Sequence, residues 1–522
     1  MKKLALLSAL YPFCAVAVAA PATSSKPTPT PTPKTSKPTP AKSGKAAASA
    51  AKPSAAKPGV TKPSPTKPVA TKPATTKPVT IAKPKAAKSA LVVSVIPTTV
   101  EKLSNGITFV TRPDTIAPRV GLSLVIRTGA ADETPETAGW RRLLVNAMLR
   151  GTPKGYELPA GSTLDDAEAL PRAAEKAGGA LGATVGDDFV EIYAVGDSQK
   201  AEGLLDLALA FWQKPRLSDE DLKNARERTQ SQLEADDLDT AGKTQAALRS
   251  QIFRDARGEL SAYGLPDFGT TESLAKLSDE KLRALHATRL ATGRLTVAAT
   301  GAFDAAALRQ KLESLPASAS GEPKTPFFAP PKAGAPALVV RELPIPSAWV
   351  FVSYPLAGNT NNDAAALRVL AAALGDSSKA RLPGRLLKSQ IMGSSPVAST
   401  VAAQFIPRRY AGEMVLYAQT GPQNVERVKN ALLDEIRKVR ETPLSALELE
   451  SAKVYARGSW SIERQNLRER AFQTALGPAL GAPADTTWPA RLQSVSSADV
   501  QRVAKKYLGS YAVALVMPGA DE

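Results

Sequence analysis

The sequence predicts an α+β protein of two homologous lobes, each an antiparallel-rich sheet backed by helices, preceded by a signal peptide and a disordered Pro/Lys-rich tail. Three observations carry this. A strand pair, a helix, further strands, long helices and a closing strand run once from about Leu91 and recur after residue 338. A stretch rich in Pro, Ala, Gly and Ser, Pro316–Ala337, parts the two runs as a linker does. The closing segments, Leu277–Gly301 and Val495–Gly519, align without a gap, with helix, turn and strand in the same columns. The organisation expected is a signal peptide at 1–19, a tail at 20–90, an N-terminal lobe at 91–317, a linker at 318–337 and a C-terminal lobe at 338–522.

Lys2 and Lys3 precede an apolar run from Leu4 to Ala20, and Ala17-Val18-Ala19 supplies small residues for cleavage. This predicts a secreted or periplasmic protein; an uncleaved anchor is the alternative, although the run is short for a spanning helix. The only cysteine, Cys14, falls inside this segment, so the mature chain has no disulfide and no thiolate site. Residues 21–90 follow with fifteen prolines, no aromatic residue and recurring T-K-P or A-K-P units. Such a composition cannot bury enough apolar surface to fold, and as polyproline II it reaches on the order of 200 Å. It serves as a solvated spacer or as a lysine-bearing tether to an anionic envelope polymer.

The formal charge of +18 belongs to that tail. Sixteen of the 67 basic residues precede residue 90, which leaves 51 against 49 acids in the remainder. The folded part therefore gives no electrostatic case for nucleic acid. The single histidine, His286, lies in a helical stretch and reads as a packing residue.

In the first lobe, Asn105–Pro113 and Val120–Thr128 read as a strand pair joined through Asp114–Pro118. A helix follows at Gly139–Thr152, G-W-R-R-L-L-V-N-A-M-L-R-G-T. Trp140, Leu143, Leu144, Ala147 and Met148 recur on one buried face, and Gly151-Thr152 ends it. Arg142, Val145 and Asn146 share a second face. Pro153–Ala169 reads as a loop, Leu170–Ala177 as a helix and Phe189–Val195 as a strand. Helices at Ala201–Gln213 and Ser218–Phe253 come next, then a helix pair and a closing strand at Arg294–Gly301. In the second lobe the strands are Leu338–Glu342, Trp349–Tyr354, Val397–Ala403 and Glu413–Thr420. Its helices are Asp363–Leu374, Asn424–Arg440 and Ser445–Gln473.

The motif helix resembles the active-site helix of the pitrilysin/insulinase (inverzincin) metallopeptidases, roughly G-[LI]-A-H-x-L-E-H-M-x-[FL]-[KR]-G-T, which carries the inverted zinc motif H-x-x-E-H. Gly139, Leu144, Arg150, Gly151 and Thr152 match it. In that family two histidines bind zinc and the glutamate activates water. The three positions here read Arg142, Val145 and Asn146, of which the first offers no lone pair, the second nothing polar and the third a poor zinc ligand. The family's third ligand is a glutamate in a pattern like E-R-x-x-x-x-x-E. Glu227–Glu234 fits it, which places Glu234 at the ligand position, there expected to pair with Arg142 in place of the metal. In the second lobe the family shows S-R-L-x-x-x-L-R-E-x-x-G-x-x-Y, whose last arginine and tyrosine hold substrate. Ala380–Ser394 keeps Arg381, Leu382 and Leu386, but Leu387 and Ser394 stand where the arginine and tyrosine belong.

The resemblance, spanning about Val100–Gly519, implies a secreted, catalytically inactive homologue without bound zinc. Such a chain would act as the noncatalytic partner of an active peptidase of the same family and share that pair's peptide substrate. A stand-alone envelope protein that binds peptide as a scaffold, or a working zinc peptidase with an unrecognised site, are the alternatives.

Overall fold

The two large sheets of the computed structural model share one order of five strands, to which the first adds an edge strand. The structure describes residues 97–152, 156–157, 163–164, 169–318, 337–343, 345–357, 360–377, 379–388 and 396–519. The expected signal peptide and tail, most of the linker, and Ser394 lie outside the described residues.

The first lobe runs β1 (Thr99–Lys102), β2 (Thr108–Pro113), β3 (Arg119–Ile126), α1 (Trp140–Met148), β4 (Tyr156–Glu157), β5 (Thr163–Leu164), α2 (Ala169–Lys176), β6 (Ala180–Val185) and β7 (Val190–Asp197). It continues through α3 (Ala201–Gln213), α4 (Asp219–Leu238), α5 (Thr240–Ile252), α6 (Thr271–Lys276), α7 (Asp279–Arg289), β8 (Leu295–Gly301) and α8 (Ala305–Glu313). The second lobe runs β9 (Ala337–Leu343), β10 (Ala348–Ala357), α9 (Ala364–Ala371), a π turn at Ala372–Asp376, α10 (Arg381–Leu386), β11 (Ala398–Ile406) and β12 (Ala411–Thr420). Then come α11 (Val425–Glu441), α12 (Ala446–Glu463), α13 (Leu467–Leu480), α14 (Trp488–Ser494), α15 (Ser497–Tyr507) and β13 (Ala512–Pro518).

The sheets are ordered β1-β2-β8-β3-β7-β6 and β11-β12-β10-β13-β9. Without β1, one order reads as the other reversed. β2 runs parallel to β8 and β9 parallel to β13, while the remaining neighbours are antiparallel. The duplication reaches single side chains. Buried Glu191 on β7 accepts from Ser123 on β3, and buried Glu413 on β12 accepts from Ser353 on β10. Ser278 caps α7 and Ser496 caps α15 at matching positions of the two aligned closing segments.

The sequence places β2 beside β3 and β9 beside β10, and the structure corrects both. The closing strand of each lobe, β8 or β13, inserts between them. A connection of five residues in the first lobe and four in the second can bridge a gap one strand wide, so chain proximity alone does not pair the strands. β6, unread in the sequence, forms an edge of the first sheet. The two long helices are each broken. Asp239 and Asn466 are extended and accept from the N–H of Ala241 and Arg468, so each starts a new helix as its N-cap.

Those breaks redirect α5 and α13 onto the opposite lobe. On one face, each sheet packs against its own lobe's helices, including α1, α3 and α7 in the first and α9, α11 and α15 in the second. On the other face, the first sheet offers Val110, Val125 and Ala298 to Ala475 and Ala479 of α13. The second offers Phe351, Val415, Ala514 and Val516 to Leu248 and Ile252 of α5. Residues 97–318 and 337–519 thus belong to one compact unit.

Candidate functional site

Gly139 opens α1 in the left-handed region, at φ 87°. A β-carbon there would lie 2.4 Å from the Phe268 carbonyl oxygen, and one on Gly269 would lie 2.3 Å from that of Ala138. The two glycines let the turn before α6 close on the start of α1, which fixes Asp267 and Phe268 against Arg142.

Arg142 is half-buried. Its guanidinium lies 4.1 Å above the Phe268 ring, and its Nε donates to the Asp267 carbonyl at 3.2 Å. Burial pulls it below its ordinary pKa, opposed first by the Asp267 carboxylate and further on by those of Asp187 and Asp236. Burial would raise Asp267, but Arg249, Arg142 and Arg141 outweigh it and hold that carboxyl well below the usual range. Arg249 donates to Asp267 at 3.0 Å. Beside Arg142, buried Arg141 pairs with Glu133 at 2.9 Å and donates to the Gly186 carbonyl.

Val145 is buried in the first-lobe core. Asn146 is buried too, and its Nδ2 donates to Thr229 Oγ1 and Gln232 Oε1 of α4, each at 2.9 Å. Between these side chains and Ala183–Val185 of β6 lies a cavity of about 20 Å³, room for roughly one water.

The expected Arg142–Glu234 pair does not form. Glu234 is exposed and accepts from Gln230, one turn back on its own helix. The helical period explains this: α4 faces α1 with Ala225, Thr229, Gln232 and Asp236, and Glu234 stands about 200° from Gln232 at 100° per residue. The residue that meets the other site positions is Gln232. The compensating carboxylates near Arg142 are Asp267 first and then Asp187 and Asp236, the last pushed up by burial. Sequence reading missed all four. The signal for Gln232 was present, because the apolar positions Leu222 and Ala225 continue through Thr229 to Gln232, not Glu234.

Leu387 caps α10 and packs on the second-lobe core. Arg381, kept from the substrate motif, donates through Nε to Glu448 at 2.8 Å. The ring nitrogen of His286 lies 2.8 Å from the Trp212 carbonyl, which can only accept, and burial lowers its pKa, so the ring is a neutral packing group.

The lobes meet beside this site. Arg408 of the second lobe bonds Asp187 of the β6–β7 turn and, at 3.0 Å, Glu413. Asp188 accepts from the Tyr263 hydroxyl at 2.6 Å and from the Arg409 N–H at 2.8 Å.

The family model for insulinase, peptidase family M16, matches residues 108–264, and that for the peptidase M16 inactive domain matches 276–454. The chain belongs to the pitrilysin/insulinase family. Solved structures agree on the fold. A protease from Helicobacter pylori superposes with a TM-score of 0.70 at 15% identity, covering 81% of this chain and 99% of that one. A peptidase M16 inactive domain from Pseudomonas fluorescens gives 0.69 at 16%, covering 81% and 99%. A chain of complex III2 from Candida albicans gives 0.62 at 20%, covering 80% and 95%. No curated protein matches the sequence.

Zinc is the cofactor that membership in the pitrilysin/insulinase family implies, and the residues present do not fit it. The facing groups are a guanidinium, an isopropyl and two amides, with one amide's N–H donors turned inward. Tetrahedral zinc takes imidazole, thiolate or carboxylate. Among the described residues, no three His, Cys, Asp or Glu side chains stand together to hold an ion.

Proposed function

We propose that this chain is a catalytically silent, secreted member of the pitrilysin/insulinase family that serves as the noncatalytic partner of an active family peptidase. One observation carries the reading: the site is rebuilt as a closed hydrogen-bonded contact between α1 and α4. Asn146 donates to both Thr229 and Gln232, and Val145 is packed into the core where a water-activating carboxylate would have to stand. That contact offers neither a ligand set to hold a metal that would activate water nor a side chain to act as general base. Both lobes of the frame are folded around it, which suits a chain that encloses peptide with another subunit. On this reading the lysine-bearing tail is the tether to an anionic envelope polymer, and the protein acts outside the cytoplasm.

The mature chain, co-expressed with an active family peptidase from the same cell, should co-elute with it as a stoichiometric complex whose peptide turnover exceeds that of the peptidase alone. The chain by itself should leave the same peptides intact. Chelator-sensitive cleavage by the chain alone overturns the reading, as does a pair that elutes as two species at micromolar concentration.

A further inference from the structure

Helices α4 and α12 are the same element of the two lobes, and they present opposite surfaces. Ser218 and Ser445 cap them with the same reciprocal box. Counting on from the caps, the exposed outer positions of α4 are Glu220, Lys223, Glu227, Ser231 and Ala235. The matching exposed positions of α12 are Leu447, Glu450, Val454, Gly458 and Ile462. A charged outer face needs no explanation. Three large aliphatic side chains 79%, 65% and 66% exposed along one ridge do.

Gly458 adds an independent observation. It lies inside an 18-residue helix, where glycine costs about 1 kcal/mol relative to alanine. Among the described residues nothing requires it, since a β-carbon there would meet no atom within 4 Å. A bare backbone at that point leaves room for close approach by another molecule.

The ridge is complementary to itself. Set antiparallel with the two Val454 side chains together, it brings Leu447 to within about one residue of Ile462 and Glu450 to within about one residue of Arg457. Its charges are thus opposite across a two-fold axis, the condition for an isologous contact. Among the described residues, Lys453 Nζ lies 3.3 Å from Glu450, and Arg457 donates to Gln493. A cavity of about 210 Å³, lined by Ala372, Ala373 and Leu447 but also by Lys379, Arg381 and Glu448, opens beside the end of the ridge that the reversed helix would cover with Ile462.

We propose that the outer ridge of α12 joins two copies of this chain, antiparallel about an axis near Val454, with Glu450 of each copy meeting Arg457 of the other. The contact belongs to the second lobe, whereas the rebuilt site belongs to the first, so neither reading depends on the other. An 18-residue helix is about 27 Å long, which puts a contact of this kind at the small end of specific interfaces and makes the association concentration-dependent.

Sedimentation of the full mature chain from about 1 to about 100 µM tests this, the range in which an interface of that size associates. Wild type should shift toward dimer. Glu450→Arg gives a ridge with two like positive charges and Arg457→Glu one with two negative, so each alone should self-associate at least about tenfold more weakly. An equimolar mixture of the two variants should dimerise about as well as wild type, because every contact then joins an arginine to a glutamate. Unchanged thermal midpoints establish that both variants fold. A wild type that stays monomeric over this range, single variants that dimerise undiminished, or a mixture that fails to recover overturns the proposal.

Discussion

A cation at a position where the pitrilysin/insulinase motif has a zinc ligand needs nearby carboxylate, and the sequence offers Glu234 for that role. The fold supplies Asp267, Asp187 and Asp236 instead, because a helix exposes Glu234 once it has turned Thr229 and Gln232 inward. The substitutions at Arg142, Val145 and Asn146 were legible from the motif alone, since they follow from residue type. The partner was not, since only helical phase decides which residue of α4 arrives. This has a measurable consequence. Arg142→His, Val145→Glu and Asn146→His together should not hold zinc, because Glu234 cannot reach the two new imidazoles. Adding Gln232→Glu should yield one zinc per chain after dialysis, by supplying the third ligand from the residue that already touches position 146. Full zinc occupancy in the triple variant, lost on Glu234→Gln, would restore Glu234 to the ligand position.

At the scale of elements, most helices and strands were readable from periodicity, and α3 and the capped starts of α7 and α15 fall where the pattern places them. What could not be read was the pairing, because β8 and β13 enter their sheets from the far end of each lobe. The breaks at Asp239 and Asn466 were written in residues that favour N-caps, but inside long helical patterns nothing local distinguishes a cap from a tolerated polar residue. The π turn after α9 is another local departure, and it carries a testable group. Burial pushes the Asp376 carboxyl up to about 6, with Arg368 opposing and Glu463 reinforcing the shift. A carboxyl whose folded pKa lies above its unfolded value favours the folded state when protonated. That contribution is present below the ordinary 3.8 and is lost as pH rises toward about 6. Asp376→Asn should therefore raise stability at pH 7 by about 1–3 kcal/mol in urea melts, with the gain vanishing below about pH 4. A gain of the same size at both pH values would trace the effect to something other than ionisation.

Over the whole molecule, the exchange of α5 and α13 decides how the lobes can behave. Each lobe's second sheet face is covered by a helix of the other, so neither lobe completes its core alone. Leu248, Ile252 and Phe253 are fully buried by this exchange and together contribute roughly 5–9 kcal/mol, comparable with the net stability of a domain. From the other side, Arg468 of α13 reaches buried Glu191 at 2.7 Å, and Arg470 reaches Asp114 at 3.0 Å. The covalent connection between the lobes is then secondary to the packing. Cutting the chain at a protease site inserted within 319–336 should leave two fragments that co-elute as one particle and melt in a single transition. Fragment 338–522 expressed alone should aggregate, because the face carrying Phe351, Val415 and Val516 would meet water. Leu248→Asp together with Ile252→Asp should loosen the nicked particle without touching the link itself. Fragments that separate in the absence of these substitutions would mean that the exchanged helices add little, and that the linker holds the lobes together.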